Sequence, residues 1–126
     1  MLTGDVLFFF EDHLEALPLY EAFEAQVERL GEANIRVQKT QITFFNRHNF
    51  AFVSFLPARK AKDRPKTYIT VTFGLGRRVE SPRIDIATEP YPGRWTHHVL
   101  VSSAEEIDGE LMGWIREAYD FSVDKR

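Results

Sequence analysis

The chain has 126 residues, 44% of them hydrophobic and 13% aromatic, which is the usual size of one domain and enough to bury a core. It contains no cysteine, which excludes disulfide frameworks, thiolate nucleophiles and cysteine metal sites, and we expect a reducing, cytoplasmic location. The net charge of −3 divides unevenly, at −7 for residues 1–32, +8 for 33–94 and −4 for 95–126, so nucleic acid or another anion is a candidate partner of the middle segment.

The first predicted helix begins near Asp12. The segment VLFFF at residues 6–10 is apolar but has no basic leader, so we expect neither a signal peptide nor a membrane span. Asp12 and Glu15 have the spacing of a capping box, and Gly31 ends the helix, while Pro18 predicts a kink or a restart. Four apolar residues recur at helical spacing between these limits: Tyr20, Phe23, Val27 and Leu30.

From Asn34 the apolar residues alternate with a period of two, which indicates β-strands. Ile35 and Val37 are at odd-numbered positions, whereas Ile42 and Phe44 are at even-numbered ones. A continuous strand must therefore contain a bulge near Lys39 or turn its face there. With a bulge, Lys39 and Gln41 face water. Without one they lie on the inner face, where a buried amine must be paired or line a cleft.

Further strands follow at regular intervals. Residues 46–49 form a predicted hairpin turn, after which apolar residues alternate with others at Phe50, Phe52 and Phe55. Residues 57–66 are predicted to form a mobile basic loop. The segment TYITVTF at 67–73 is a predicted half-buried strand. A short extended piece near Ile84 and Ile86 precedes a turn cluster of Pro90, Pro92 and Gly93, and the last strand is predicted from about Trp95 to Val101.

A second capping box, Ser103 with Glu106, opens the last predicted helix, which has one apolar stripe. The order of helix, strands and helix predicts an α+β fold. We expect a two-layer domain over residues 1–126, with a mostly antiparallel sheet of about five strands flanked by N- and C-terminal helices. The stripe comprises Ile107, Leu111, Trp114, Ile115 and Ala118.

The adjacent histidines His97 and His98 are the most conspicuous polar pair. Neighbouring strand residues point to opposite faces, so at most one ring serves any one site. The chain has no HxH, HxxxH or HExxH spacing, and we expect no metal site. We expect His98 to share a face with Lys39 and Arg83.

Few other patterns indicate catalysis. Gly74 and Gly76 follow a strand but lack the third glycine and the helix of a dinucleotide fingerprint, so a simple turn is favoured. Asp85 and Glu89 lack the lysine of a nuclease triplet, and no G-x-S-x-G elbow occurs. We therefore predict neither catalytic residues nor a cofactor.

Three stretches together resemble the bacterial family DUF5655, a domain of unknown function. They are IRVQKTQITFFNRHNFAFV (35–53), TVTFGLGRRVESPRI (70–84) and GRWTHHVLVSSAEEIDGELMGWIREAYDF (93–121). The most recognisable motifs are Lys39-Thr40-Gln41-Ile42, Ser81-Pro82-Arg83-Ile84, His98-Val99 and Glu117-Ala118-Tyr119. The resemblance implies a small domain with helices and strands, and no activity that could be transferred.

These observations favour a non-enzymatic binding module for an anionic ligand. A metal-dependent nuclease or hydrolase that uses His98 with Lys39 or Asp85 is the alternative from another class. A homodimer that joins acidic helices to a basic surface is the third reading. The candidate ligand-binding residues are Lys39, Gln41, Arg83 and His98, and the expected phosphate contacts are Arg77, Arg78, Arg83 and Arg94.

Overall fold

The computed structural model describes residues 3–124. Helices at both ends of the chain enclose a run of strands, and three 3-10 turns connect them. The helices are α1 (Gly4–Phe9), α2 (Leu17–Glu28) and α3 (Gly109–Asp124), and the 3-10 turns are Leu14–Ala16, Ala61–Asp63 and Ala104–Glu106. The strands are β1 (Asn34–Val37), β2 (Gln41–Phe45), β3 (Asn49–Ser54), β4 (Ile69–Leu75), β5 (Ile86–Tyr91) and β6 (Arg94–Val101).

The first long helix begins later than its sequence suggests. The expected capping box at Asp12 is absent, because His13 precedes the first 3-10 turn and no side chain caps it. Pro18 lies in the first turn of α2, where its missing amide donor costs nothing, so α2 restarts there. At the other end of the chain, the predicted capping box of Ser103 and Glu106 is present.

All strand pairs are antiparallel, in the order β1-β2-β3-β4-β6-β5. The predicted α+β architecture is confirmed, with six strands rather than five. The difference arises at residues 38–41, where the Gln38 amide donates to the Gln41 carbonyl at 2.8 Å and the chain reverses. This tight turn, rather than a bulge, produces the change of parity between β1 and β2.

A bulge does occur at the next turn. The pairing of β2 with β3 shifts at Phe44, which pairs with Ala51. Phe50 therefore turns into the core and packs its ring edge-on against Tyr119. Phe52 lies on the opposite face, so the alternation of Phe50 with Phe52 expected from the sequence is wrong.

Helices α2 and α3 cover one face of the sheet. Phe23 of α2 packs against Phe44, and Trp114 of α3 stacks over Phe73 at 6.0 Å between ring centroids. The other face, called the open face, is formed by the alternate residues of the same strands, including Phe52 and Thr72.

Loop residues 55–59 cover one end of the open face. Thr70 donates to the carbonyl of Leu56 at 2.7 Å, and Arg59 binds Asp85 with 2.7 Å between Nε and Oδ1. Asp85 in turn accepts from the amide of Leu100. The start of the basic 57–66 loop is thereby joined to β4 and β6.

His97 is wholly buried on the helix-covered face. Its ring stacks on Phe73 with 5.0 Å between centroids, and Nε2 accepts from the Val79 amide at 3.0 Å. Because Nε2 accepts, the ring is neutral with its proton on Nδ1. Burial is the main cause that lowers the pKa of His97 below 6.5, and Arg77 acts in the same direction.

Protonation of His97 should therefore destabilise the fold. Its contribution to the free energy of unfolding is complete above pH 6.5 and is lost as the pH falls below that value. In His97→Gln, which retains an acceptor for Val79 but does not titrate, urea unfolding should change less between pH 7.5 and pH 5.5 than in the wild type. His48→Gln, in the β2–β3 turn, is the control, and an unchanged pH dependence in His97→Gln would contradict this role.

Candidate functional site

One row of paired residues crosses the open face. Thr43 of β2 pairs with Phe52 of β3, Phe52 with Thr72 of β4, and Thr72 with His98 of β6. Each residue is opposite the next, so their side chains stand side by side on the same surface. The row places an aromatic ring between polar groups.

Three members of this row, Phe52, Thr72 and His98, line a cavity of about 620 Å³. The volume is in the range of small-molecule sites, which are usually concave and mostly apolar with a few polar groups. Three of the candidate residues, Lys39, Gln41 and His98, line it together. The full lining is Phe9, Asp12, His13, Lys39, Thr40, Gln41, Phe52, Ser54, Phe55, Leu56, Thr72 and His98.

His98 is oriented by its neighbour on β4. Its Nδ1 lies 2.8 Å from the Thr72 hydroxyl oxygen. No hydrogen bond to a described residue occupies Nε2, which is therefore available to a ligand. Burial lowers the pKa of His98 below 6.5, so the ring is neutral at pH 7 and offers one donor or one acceptor.

A polar network supports the turn that carries Lys39. The Thr43 hydroxyl donates to the side-chain oxygen of Gln38 at 2.6 Å. The side-chain nitrogen of Gln41 lies 3.3 Å from that Gln38 oxygen and 3.3 Å from the Thr43 hydroxyl oxygen. The network orients the Gln41 side chain and leaves its side-chain carbonyl oxygen for a ligand. Lys39 is exposed at the tip of the turn and forms no ion pair with any residue in the range 3–124.

The N-terminal segment supplies the opposite wall. His13 lies 4.3 Å from Phe55 between ring centroids, and Phe9 stacks on the same Phe55 ring at 5.5 Å. Sequence reasoning missed this wall, because Asp12 and His13 have the pattern of a helix cap. The sequence feature that could have indicated this wall is the run of phenylalanines at residues 8–10, but its spacing does not show which ring contacts Phe55.

Arg83 lies outside the cavity, on the side of the sheet that carries α3. Its guanidinium is 2.8 Å from Asp108 and 3.1 Å from Glu110, and it also donates to the Glu106 carbonyl at 2.6 Å. A hydrogen bond from the Leu111 amide and then the Arg83 charge lower the pKa of Asp108. In this structure Arg83 ties the start of α3 to the sheet.

Two other candidate arginines are also engaged within the protein. Arg77 makes two 2.8 Å bonds to the carboxylate of Glu117, which lower the pKa of that carboxylate. Arg78 lies 3.7 Å from Glu80 and above the ring of Trp95. Their charges are thus largely matched by neighbouring groups.

Arg94 has a different environment. Its guanidinium lies 5.5 Å above the Phe121 ring, and it forms no ion pair with a described residue. It lines a second cavity of about 250 Å³ at the other end of the sheet. Phe52 lines both cavities, which therefore adjoin at this ring.

Within the described part of the chain, no group of three or more histidine, aspartate or glutamate side chains is placed to hold a metal ion. None of the helices in residues 3–124 combines the length and the apolar character needed to span a bilayer.

Comparison with known proteins identifies one family. The family model "Domain of unknown function (DUF5655)" matches residues 8–122, nearly the whole chain. No curated protein and no solved structure matches significantly. The cavity must therefore be interpreted from its own geometry.

The environment of His98 can be tested by titration. In an NMR titration, the Cε1 proton of His98, identified by its absence in His98→Asn, should report a pKa below 6.5 because of burial. Thr72→Val removes the acceptor that the charged ring would use, so it should lower the pKa further. A His98 pKa at or above 6.5 would contradict the buried, neutral ring.

Proposed function

The chain belongs to the DUF5655 family, a domain of unknown function, and on that premise we propose that it is a binding module whose open-face cavity accepts an anionic ligand. The observation that carries this proposal is the position of Lys39. Its ammonium group is at the rim of a cavity of ligand size and has no carboxylate partner among the described residues.

Each part of the lining has a corresponding task. Lys39 attracts the anionic group of the ligand, and Phe52 offers a ring surface for a planar group. His98 and Gln41 provide oriented hydrogen-bonding groups beside that ring. Such a combination of one charge, one ring and a few fixed polar groups is typical of specific small-molecule recognition.

Asp12 further limits the ligand chemistry. Its carboxylate is in the same lining as Lys39, so a ligand that carries only negative groups would meet one repulsive contact. A ligand with an anionic group and a separate hydrogen-bond donor satisfies both side chains. We therefore favour an anionic aromatic compound with polar ring substituents.

A fluorescent aromatic anion tests the proposal directly. Anilinonaphthalene sulfonate should bind the native protein at low salt, and Lys39→Ser should weaken its binding about fivefold, the effect of one partly exposed ion pair of about 1 kcal/mol. Fluorescence titration measures the affinity, with urea unfolding to confirm that each variant is folded.

The matched control is Lys60→Ser, which removes an exposed lysine that does not line the cavity. It should bind the probe as the wild type does. Absence of probe binding by the wild type, or equal affinities of Lys39→Ser and Lys60→Ser, would overturn the assignment.

A further inference from the structure

The charge of the chain is divided between the two sides of the sheet. Residues 33–94, with net charge +8, form five of the six strands and their loops, whereas all seven acids of residues 95–126 follow Ser103. Helices α2 and α3, which contain seven of the fifteen acids outside residues 33–94, cover the other face. An anionic polymer is therefore repelled by the helices and attracted to the strands and loops.

The two candidate cations without carboxylate partners line the two adjoining cavities. Lys39 is at the rim of the larger cavity, and Arg94 is in the smaller one. A third cation, Arg36, pairs opposite Thr43 in the same row of the open face and lies 4.5 Å above the Phe45 ring. Arg36 thus lies over an aromatic ring of the open face, whereas the ring beside Arg94 is Phe121 of α3, at the end of the sheet.

The separation of the two cavity cations exceeds the size of a single small anion. Lys39 is in the β1–β2 turn, at one end of the sheet, and Arg94 begins β6 at the other end. The row of paired residues nearest to Lys39 is Gln41, Ser54, Thr70 and Leu100. A strand spacing of about 4.8 Å and a rise of about 3.3 Å per residue place them on the order of 25 Å apart. Between them the shared ring of Phe52 is half-buried, so one side of it can contact a ligand.

The surface beside Phe52 is left open by a glycine. Gly74 is on the open face of β4, opposite Thr96, and lines the smaller cavity. A Cβ atom added there would meet only the Trp95 carbonyl oxygen, at 3.9 Å. The glycine is not required by the backbone, and its effect is to leave room next to the aromatic ring.

From these observations we infer that the two cavities together bind a short stretch of single-stranded nucleic acid. This inference rests on the proposed function, since it assigns the ligand class for the same cavity. Phosphates contact Lys39 at one end and Arg94 at the other, and a base stacks on Phe52 between them. Open antiparallel sheets with aromatic and basic side chains bind single strands in this way, at sites of about four nucleotides or more.

The test is a length series of oligothymidylates that displace anilinonaphthalene sulfonate. Oligomers of four to eight nucleotides should displace the probe at concentrations at least tenfold lower than the dinucleotide, and lower than a duplex of equal length. Phe52→Leu keeps an apolar side chain without a ring, and should weaken octamer binding roughly 5- to 150-fold, the range for one stacked base. Phe8→Leu, at an exposed aromatic outside both cavities, is its control.

Two further variants test the path between the cavities. Gly74→Leu should bring octamer affinity down to that of the dinucleotide and leave probe binding unchanged, while Gly113→Leu on the exposed side of α3 should change neither. Arg94→Ser should reduce the slope of log affinity against log salt by about 0.7, the value for one phosphate contact on a single strand. Arg116→Ser, which removes a charge from α3, should leave that slope as it is.

The outcomes separate the two proposals. If the probe binds through Lys39 but oligomers of every length displace it equally weakly, the inference fails and the proposed function stands. If Gly74→Leu or Arg94→Ser binds the octamer as the wild type does, the path through the second cavity is wrong. If the probe itself does not bind the wild type, both proposals fail.

Discussion

Alternation of side chains along β4 and β6 separates the protein core from its cavity. Val71 and Phe73 are buried under the helices, whereas Thr72 between them faces the other side, where it meets His98. A slip of one residue in the register of β6 would move His98 into the core and His97 out of it. The position of His98 in the candidate site therefore depends on the pairing of these two strands.

His97 contributes to that register. A buried imidazole is costly unless its polar atoms are bonded. Nε2 accepts from the Val79 amide just after β4, whereas none of the described residues forms a hydrogen bond with the buried Nδ1. In a slipped register, that amide would lose its acceptor and Phe73 would lose the ring stacked on it. The two histidines thus have different roles, one fixing the strand and the other presenting a nitrogen to the cavity.

The sequence predicts those features that depend on local alternation or capping. The threonines of β4, the separation of the two histidines and the Ser103 cap follow from spacing alone. The β1–β2 turn was missed because Gln38–Gln41 contains no glycine, proline or asparagine to mark it. The carboxylates that bind Arg83 are 25 and 27 residues away in sequence, so only tertiary structure shows that its charge is matched.

The acidic, basic and acidic order of the chain acquires its meaning from the topology. Along the sequence, such charge runs are more often solvated surfaces than binding sites, and they do not identify which residues would meet an anion. Because α2 and α3 pack on the same face, the acids of these two helices come together there, and the basic segment between them builds five of the six strands. The segments are thus only partly separated by face, because Arg77 and Arg83 bind carboxylates on the α3 side and Asp12 lines the open-face cavity. The rings of Phe45 and Phe52 are on the open face, where Arg36 and Lys39 supply positive charge and Asp12 is the acid in the cavity lining, so a stacked anionic ligand of the kind proposed would gain from both ring and charge.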